Sequence, residues 1–154
     1  MIELVPLQMK DCEQVAEIAS VSLPEHWSLK GIQDVLRYDD NIYSVARCTE
    51  NGKIVGFSGI MVIWDEAELL NIAVHPEWRG RGIGQMLLSD MLRKAEEKGA
   101  MRLLLEVRKG NETAQSLYRK NLFSEIGERR NYYSNPTENA IIMERRFDQK
   151  EEII

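Results

Sequence analysis

At 154 residues, with 44% hydrophobic and 29% charged side chains, the chain has the composition of a globular protein large enough to bury a core without disulfides or metals. A net charge of −5 argues against general nucleic-acid binding, because phosphate contacts need a basic face. The opening stretch MIELVPLQMKDC lacks the basic start and apolar run of a signal peptide, and no segment approaches the ~18 apolar residues of a membrane span, so the expectation is a soluble, cytoplasmic protein; a monomer or weak dimer is expected separately.

IELVPL reads as a strand, and MKDCEQVAEIASVSL follows with Val15, Ile18 and Ala19 at helical spacing, stopped at Pro24. Ser28 offers a cap to a short helix, SLKGIQDVLRY, with Leu29, Ile32 and Leu36 on one face. NIYSVARCT and KIVGFSGIMVIWD pair across the tight turn at Asn51-Gly52, and EAELLNIAVHP makes a further strand. From Ile83 the apolar set Ile83, Met86, Leu87, Met91, Leu92 and Ala95 marks a long amphipathic helix that ends at Gly99. MRLLLEV is a nearly continuous apolar strand, NETAQSLYRKNL a helix, and FSEIGERRNYYS and ENAIIMERRF two closing strands. The order β-α-α-β-β-β-α-β-α-β-β predicts an α/β (α+β) domain over residues 1–147: a mixed, mostly antiparallel sheet of about seven strands with about four helices, and a frayed tail at 148–154.

The run HPEWRGRGIGQML carries glycines at 80, 82 and 84 between a strand and a helix, beside Arg79 and Arg81. Such a turn aims backbone N–H groups at the positive end of a helix dipole, a ready phosphate site. A Walker A loop would end in Gly-Lys-Ser/Thr, whereas Gly84 is followed by Gln85 and Met86. A dinucleotide fingerprint would need a third glycine where Gln85 stands. The spacing that fits is R-x-x-G-x-G, Arg79 to Gly84.

With LLNIAVHPEW before it and an amphipathic helix after it, this run resembles the acetyl-CoA site of the GNAT superfamily of N-acetyltransferases. Leu105 to Met143 looks like the C-terminal half of RimI-type members, which acetylate the amino-terminal alanine of a small-subunit ribosomal protein, and Glu25 to Gln33 is similar to their substrate-side helix. The likeness is strongest from residue 71 to 143 and weak before 24; Gln85 is the departure, tolerable because the backbone makes the main contacts. The resemblance implies acetyl-CoA as cosubstrate. Its pyrophosphate would lie on Arg79, Gly80, Arg81, Gly82, Ile83, Gly84 and Gln85, and its pantetheine arm along Ile72, Ala73 and Val74 and at Asn111. It further implies Glu106 as general base, directly or through water, Tyr118 as general acid toward the departing thiolate, direct transfer without an acetyl-enzyme, a protein N-terminus as acceptor and no metal.

Each assignment has a structural alternative. A charge inside LLLEV is costly unless it faces a cleft or a partner, and Glu106 could instead pair with Arg108 or Arg102. Tyr118 could be a core tyrosine, and Asn111 a helix cap. Asn131, Tyr132 and Tyr133 could line a peptide channel, although neighbours on a strand face opposite ways. Trp27 reads as groove wall or core, His26 as surface, and His75 has no assigned role; Arg129-Arg130 and Arg145-Arg146 read as solvated strand ends. Within the same fold the acceptor could instead be a lysine side chain or a small amine, and a non-catalytic acetyl-CoA-binding regulatory module is the alternative of another class.

Overall fold

The computed structural model describes residues 1–23 and 27–147. Pro24, His26 and the 148–154 tail, for which a helix stop, a surface position and fraying are expected, lie outside the described residues. The elements follow the expected order: β1 (Ile2–Pro6), α1 (Cys12–Ser22), α2 (Leu29–Val35), β2 (Asn41–Cys48), β3 (Ile54–Ile63), β4 (Glu66–Val74), α3 (Ile83–Glu97), β5 (Arg102–Arg108), α4 (Glu112–Lys120), β6 (Ser124–Tyr133) and β7 (Glu138–Arg146). Single 3-10 turns at Met9–Asp11 and Pro76–Trp78 precede α1 and the glycine run.

The strands form one seven-stranded sheet in the order β1-β2-β3-β4-β5-β7-β6. Every pairing is antiparallel except β4 with β5. Helices cover both faces. On the rear face α3 lays Leu88, Met91, Leu92 and Ala95 against Leu103, Leu105 and Val107, with Tyr118 and Phe123 in the same cluster. On the front face α1 and α2 set Val15, Ile18, Ala19 and Ile32 over Tyr43, Val45, Phe57 and Ala73.

Several local expectations change. β5 alternates rather than being buried throughout: Leu103, Leu105 and Val107 face the rear core, while Leu104 and Glu106 face forward. On α2 only Ile32 is fully buried, and Leu29 and Leu36 are each 37% exposed, because a helix this short packs one turn. Gly59 makes room for a neighbour, since a Cβ there would lie 2.2 Å from the Tyr43 ring directly across the β2–β3 ladder.

The stripe on α3 conceals one acid. Asp90 is 8% exposed and accepts from Ser44 Oγ on β2 at 2.8 Å and from Arg93 Nη2 at 2.8 Å, with Lys94 Nζ at 3.0 Å. Lys94 also donates to Ser44 Oγ at 2.6 Å, closing a triangle between helix and sheet. Burial pushes the Asp90 carboxyl upward, but the hydrogen bonds from Lys94, Ser44 and Arg93 outweigh it and hold the pKa below the usual aspartate value. A depressed folded pKa stabilises the fold above the unfolded value and loses that contribution as pH falls through the folded one. Asp90→Ala, which strands Lys94 in a mostly buried position, is expected to cost about 3 kcal/mol in urea unfolding at pH 7, with the gap to wild type narrowing below pH 4. A constant gap across that range would contradict the network.

Candidate active site

Where β4 and β5 part company, the sheet opens. Their parallel ladder holds only Glu66 with Arg102, Ala67 with Leu103 and Glu68 with Leu104. Two positions further along β4, Gly59 of β3 pairs with Asn71 while Ile60 pairs with Leu69, so Leu70 is an extra residue, a bulge that bends the strand. The bulge also reverses the alternation: Ala67 and Leu69 join the rear core, whereas Leu70 and Ala73 join the front one. Beyond it β4 stays paired with β3 through Ile72, Ala73 and Val74, and β5 stays paired with β7, so the β4 edge facing β5 is left without a strand. An extended ligand carrying amides can pair with such an edge. The side chains of Ile72, Ala73 and Val74 meanwhile pack in the three apolar clusters.

The glycine run stands at the end of that edge. His75, for which the sequence suggested no role, accepts the Glu77 N–H on Nδ1 at 3.1 Å and so caps the Pro76–Trp78 turn. Arg79 Nε donates to the Val74 carbonyl at 3.2 Å, and Arg81 lies 4.4 Å over the Trp78 ring. Gly80 (φ 78°) and Gly82 (φ 80°) adopt the left-handed conformation, and a Cβ at either would meet nothing within 4 Å, so the demand for glycine there is dihedral. Gly84 differs, since a Cβ there would only touch Leu117 at 3.8 Å. Gly82 is the N-cap of α3 and brings no side chain, and no acidic residue occupies the first turn. The uncapped amides at the positive end of a 15-residue helix, flanked by Arg79 and Arg81, are therefore suited to an anion. Gln85 turns its side chain inward: its amide and that of Asn121 exchange hydrogen bonds of 2.8 and 2.9 Å, joining α3 to the end of α4.

Asn111 is the helix cap that one reading expected, accepting the Ala114 N–H at 3.1 Å. Gln115 anchors α4 to the end of β5 by donating to the carbonyls of Arg108 (3.0 Å) and Lys109 (2.9 Å). This anchoring sets Tyr118, 5% exposed, against Phe123 with ring centroids 5.6 Å apart. Burial first, and then the neighbouring Tyr133, raises its pKa well above that of a free phenol, so Tyr118 keeps its proton.

Glu106 faces forward on the open side of the wedge. Its Oε2 is fully buried and has no hydrogen-bond partner among the described residues. Its ion-pair partner is neither Arg108 nor Arg102: Arg129 Nε lies 3.2 Å from that same oxygen, a contact of charges without hydrogen-bond alignment. Arg129 is thus in the body of β6 rather than at a solvated strand end, while Arg108 binds Glu138 (3.1 Å) and Arg102 binds Glu66 and Glu144 (each 2.8 Å). Arg145, on the neighbouring strand, donates to the Asn121 carbonyl at 3.0 Å.

The two tyrosines of NYY do not simply oppose each other. Asn131 sits at φ 51°, its N–H donates to Asn139 Oδ1 at 2.9 Å, and the β6–β7 register shifts between Arg129 and Tyr133. The Tyr132 and Tyr133 rings consequently meet edge to face at 5.0 Å. Tyr132 is half exposed beside the Glu106 carboxylate; its pKa is raised by burial, then by the Glu106 charge and a hydrogen bond to it. Trp27 packs on Tyr43 (5.9 Å) and Phe57 (5.7 Å) and forms the apolar wall of the front face. Sequence reasoning missed Tyr43, whose hydroxyl donates to Asn71 Oδ1 beside the bulge, and Glu68 at the mouth of the wedge. The alternation of EAEL, with both glutamates on one strand face, was the only local signal for Glu68.

Residues 12–122 match the acetyltransferase (GNAT) family. The [ribosomal protein bS18]-alanine N-acetyltransferase of Haemophilus influenzae is 36% identical over 136 residues, 86% of this chain and 90% of that one. The crystal structure of the ribosomal-protein-S18-alanine N-acetyltransferase from Escherichia coli superposes with a TM-score of 0.85 at 34% identity, covering 94% of this chain and 92% of that one. Arabidopsis thaliana NAA60 in complex with acetyl-CoA shares the fold at TM-score 0.86 and 16% identity, over 96% of this chain and 99% of that one.

Gly82→Ala forces an L-residue into the left-handed region at the N-cap of α3, a strain of about 1–2 kcal/mol. The expected result is a roughly tenfold rise in the Kd for coenzyme A by calorimetry, with Gly84→Ala near wild type. Equal losses at both positions would refute the distinction between them.

Proposed function

Since the chain belongs to the acetyltransferase (GNAT) family and is an acetyl-CoA-dependent N-acetyltransferase, we propose that its acceptor is the α-amino group of a protein beginning with alanine, with ribosomal protein bS18 as the candidate substrate. The choice of acceptor is supported by the bS18-alanine N-acetyltransferases that are similar over most of their length. Two observations support the chemistry: a forward-facing carboxylate with an unbonded oxygen, Glu106, and a buried phenol in the rear layer that keeps its proton, Tyr118.

Acetyl-CoA supplies an acetyl group activated as a thioester, held by the edge of Ile72, Ala73 and Val74 and by the turn from Arg79 to Gln85, with Asn111 at the start of α4 beside the pantetheine arm. An α-amino group has an ordinary pKa of ~7.7–8.0, so near neutral pH only a modest push is needed to free its lone pair, against ~10.4 for a lysine. Glu106 takes the proton that the amine nitrogen sheds as the C–N bond forms, and Tyr118 gives its proton to sulfur as the C–S bond breaks. Solvent exchange then returns a proton from Glu106 to Tyr118. Trp27, Asn131, Tyr132 and Tyr133 guide the first residues of the acceptor on the front face.

Direct attack accords with the cysteines. Cys12 and Cys48 are both buried, and the Cys12 thiol is pushed up first by burial and then by Asp11, the opposite of what a nucleophile needs. The test is acetyl transfer to a short peptide beginning with alanine, beside an N-blocked twin carrying an internal lysine. Transfer to the free N-terminus alone is expected. Glu106→Gln should lower kcat about 10²–10⁴-fold, with Tyr118→Phe in the same range, while Cys12→Ser with Cys48→Ser keeps turnover. Transfer to the lysine twin alone would overturn the acceptor, and full activity in Glu106→Gln would overturn the base.

A further inference from the structure

The front of the wedge carries more negative charge than the protein itself neutralises. Glu68 pairs with Leu104 in the last rung of the β4–β5 ladder, and residues paired in a ladder share a face. Glu106 follows Leu104 by two residues on that face, so both carboxylates stand where the strands separate. The neighbouring acid on the same strand face, Glu66, is already bound to Arg102, which also binds Glu144. Glu68 makes no hydrogen bond or ion pair among the described residues. Arg129, with 57% of its side chain exposed, is the cation beside the two acids, and it engages Glu106 without hydrogen-bond alignment.

The geometry points to Glu68 as an acceptor-binding residue: it receives the substrate's amino group in its ammonium form at the mouth of the wedge, beside Glu106, and thereby selects a cationic acceptor. This rests on the site being that of an N-acetyltransferase and goes beyond it by identifying what holds the ammonium, which gives one proton to solvent before attack and the second to Glu106 as the C–N bond forms. One ammonium entering beside Glu68, Glu106 and Arg129 brings the local charge to neutral. It also offers N–H donors to the Glu106 oxygen that has none. The energetic signature points the same way. Burial, and then the Glu106 charge, raises the Glu68 pKa, with Arg129 opposing and Glu66 adding to it, so the ionised side chain strains the free protein. Residues kept at such a cost are expected where they serve a ligand.

The experiment compares wild type, Glu68→Gln, Glu68→Asp and, as control, Glu66→Gln by steady-state kinetics on the alanine-initiated peptide and by thermal unfolding. Glu68→Gln is expected to raise the acceptor KM at least tenfold, with less than a threefold fall in kcat and no change in the acetyl-CoA KM. Glu68→Asp should recover part of the loss. Because the raised folded pKa makes the charged form destabilising above the usual glutamate range, Glu68→Gln should also unfold at a higher temperature than wild type at pH 7, whereas Glu66→Gln, which loses an ion pair, should unfold lower and keep the acceptor KM within twofold. An acceptor KM unchanged in Glu68→Gln, or a fall in kcat and Tm together, overturns the proposal. If wild type acetylates no N-terminal peptide, the acceptor assigned above is wrong, and the same KM ratio is then read on alaninamide and on a lysine peptide, where an unchanged ratio overturns the part given to Glu68.

Discussion

The parting of β4 and β5 after three paired rungs is the constraint on which the rest depends. A sheet that stayed closed there would satisfy its backbone groups internally and leave nothing for an extended cofactor to pair with. The extra residue at Leu70 bends β4 away, reverses which of its side chains face front and back, and leaves the β4 edge beside Ile72, Ala73 and Val74 without a partner strand, with Arg79 on the Val74 carbonyl. The surroundings hold the bend in place. Tyr43 lies across Gly59 and donates to Asn71 next to the bulge, and Trp27 closes over Tyr43 and Phe57.

The helix termini are treated unequally. α2 is capped by Ser28, α4 by Asn111, and the turn before the glycines by His75. α3, the longest helix, has a bare glycine as N-cap, so its amides and dipole remain free for an anion. Its side chains are secured elsewhere, through Gln85 in the first turn to Asn121 at the end of α4 and through Asp90 at mid-helix to Ser44 on the sheet. The stability that α3 forgoes at its N-terminus is supplied along its length.

The two sides of the wedge hold different titratable groups. On the rear, burial keeps Tyr118 neutral and protonated. On the front, Glu106 stands beside a partly exposed arginine, and burial disfavours the charged form of its neighbour Glu68. A buried phenol that keeps its proton in the rear layer and a carboxylate with an oxygen free of hydrogen bonds in front of the sheet suit the proposed acyl transfer. Neither helix layer alone could supply both, because the groups come from opposite faces of one sheet.

Much of this was legible in the chain. Periodicity, and for β5 a continuous apolar run, located the strands and helices, and the glycines at 80 and 82 marked a turn, because these signals arise from preferences acting within a few residues. The forward placement of Glu106 could be suspected from a charge within an apolar strand. The bulge at Leu70 could not, since LLNIAV reads the same with or without it; nor could the choice of Arg129 over Arg102 or Arg108, which follows from the β6–β7 and β5–β7 registers. Glu68 was passed over because its significance lies in a strand that stops pairing beside it. The amino-acid sequence by itself determined the elements, the caps at Ser28 and Asn111 and the glycine turn before α3. Tertiary structure alone decided which edge stays open and which charges share it, because pairing register and charge neighbourhood depend on contacts between segments far apart in the chain.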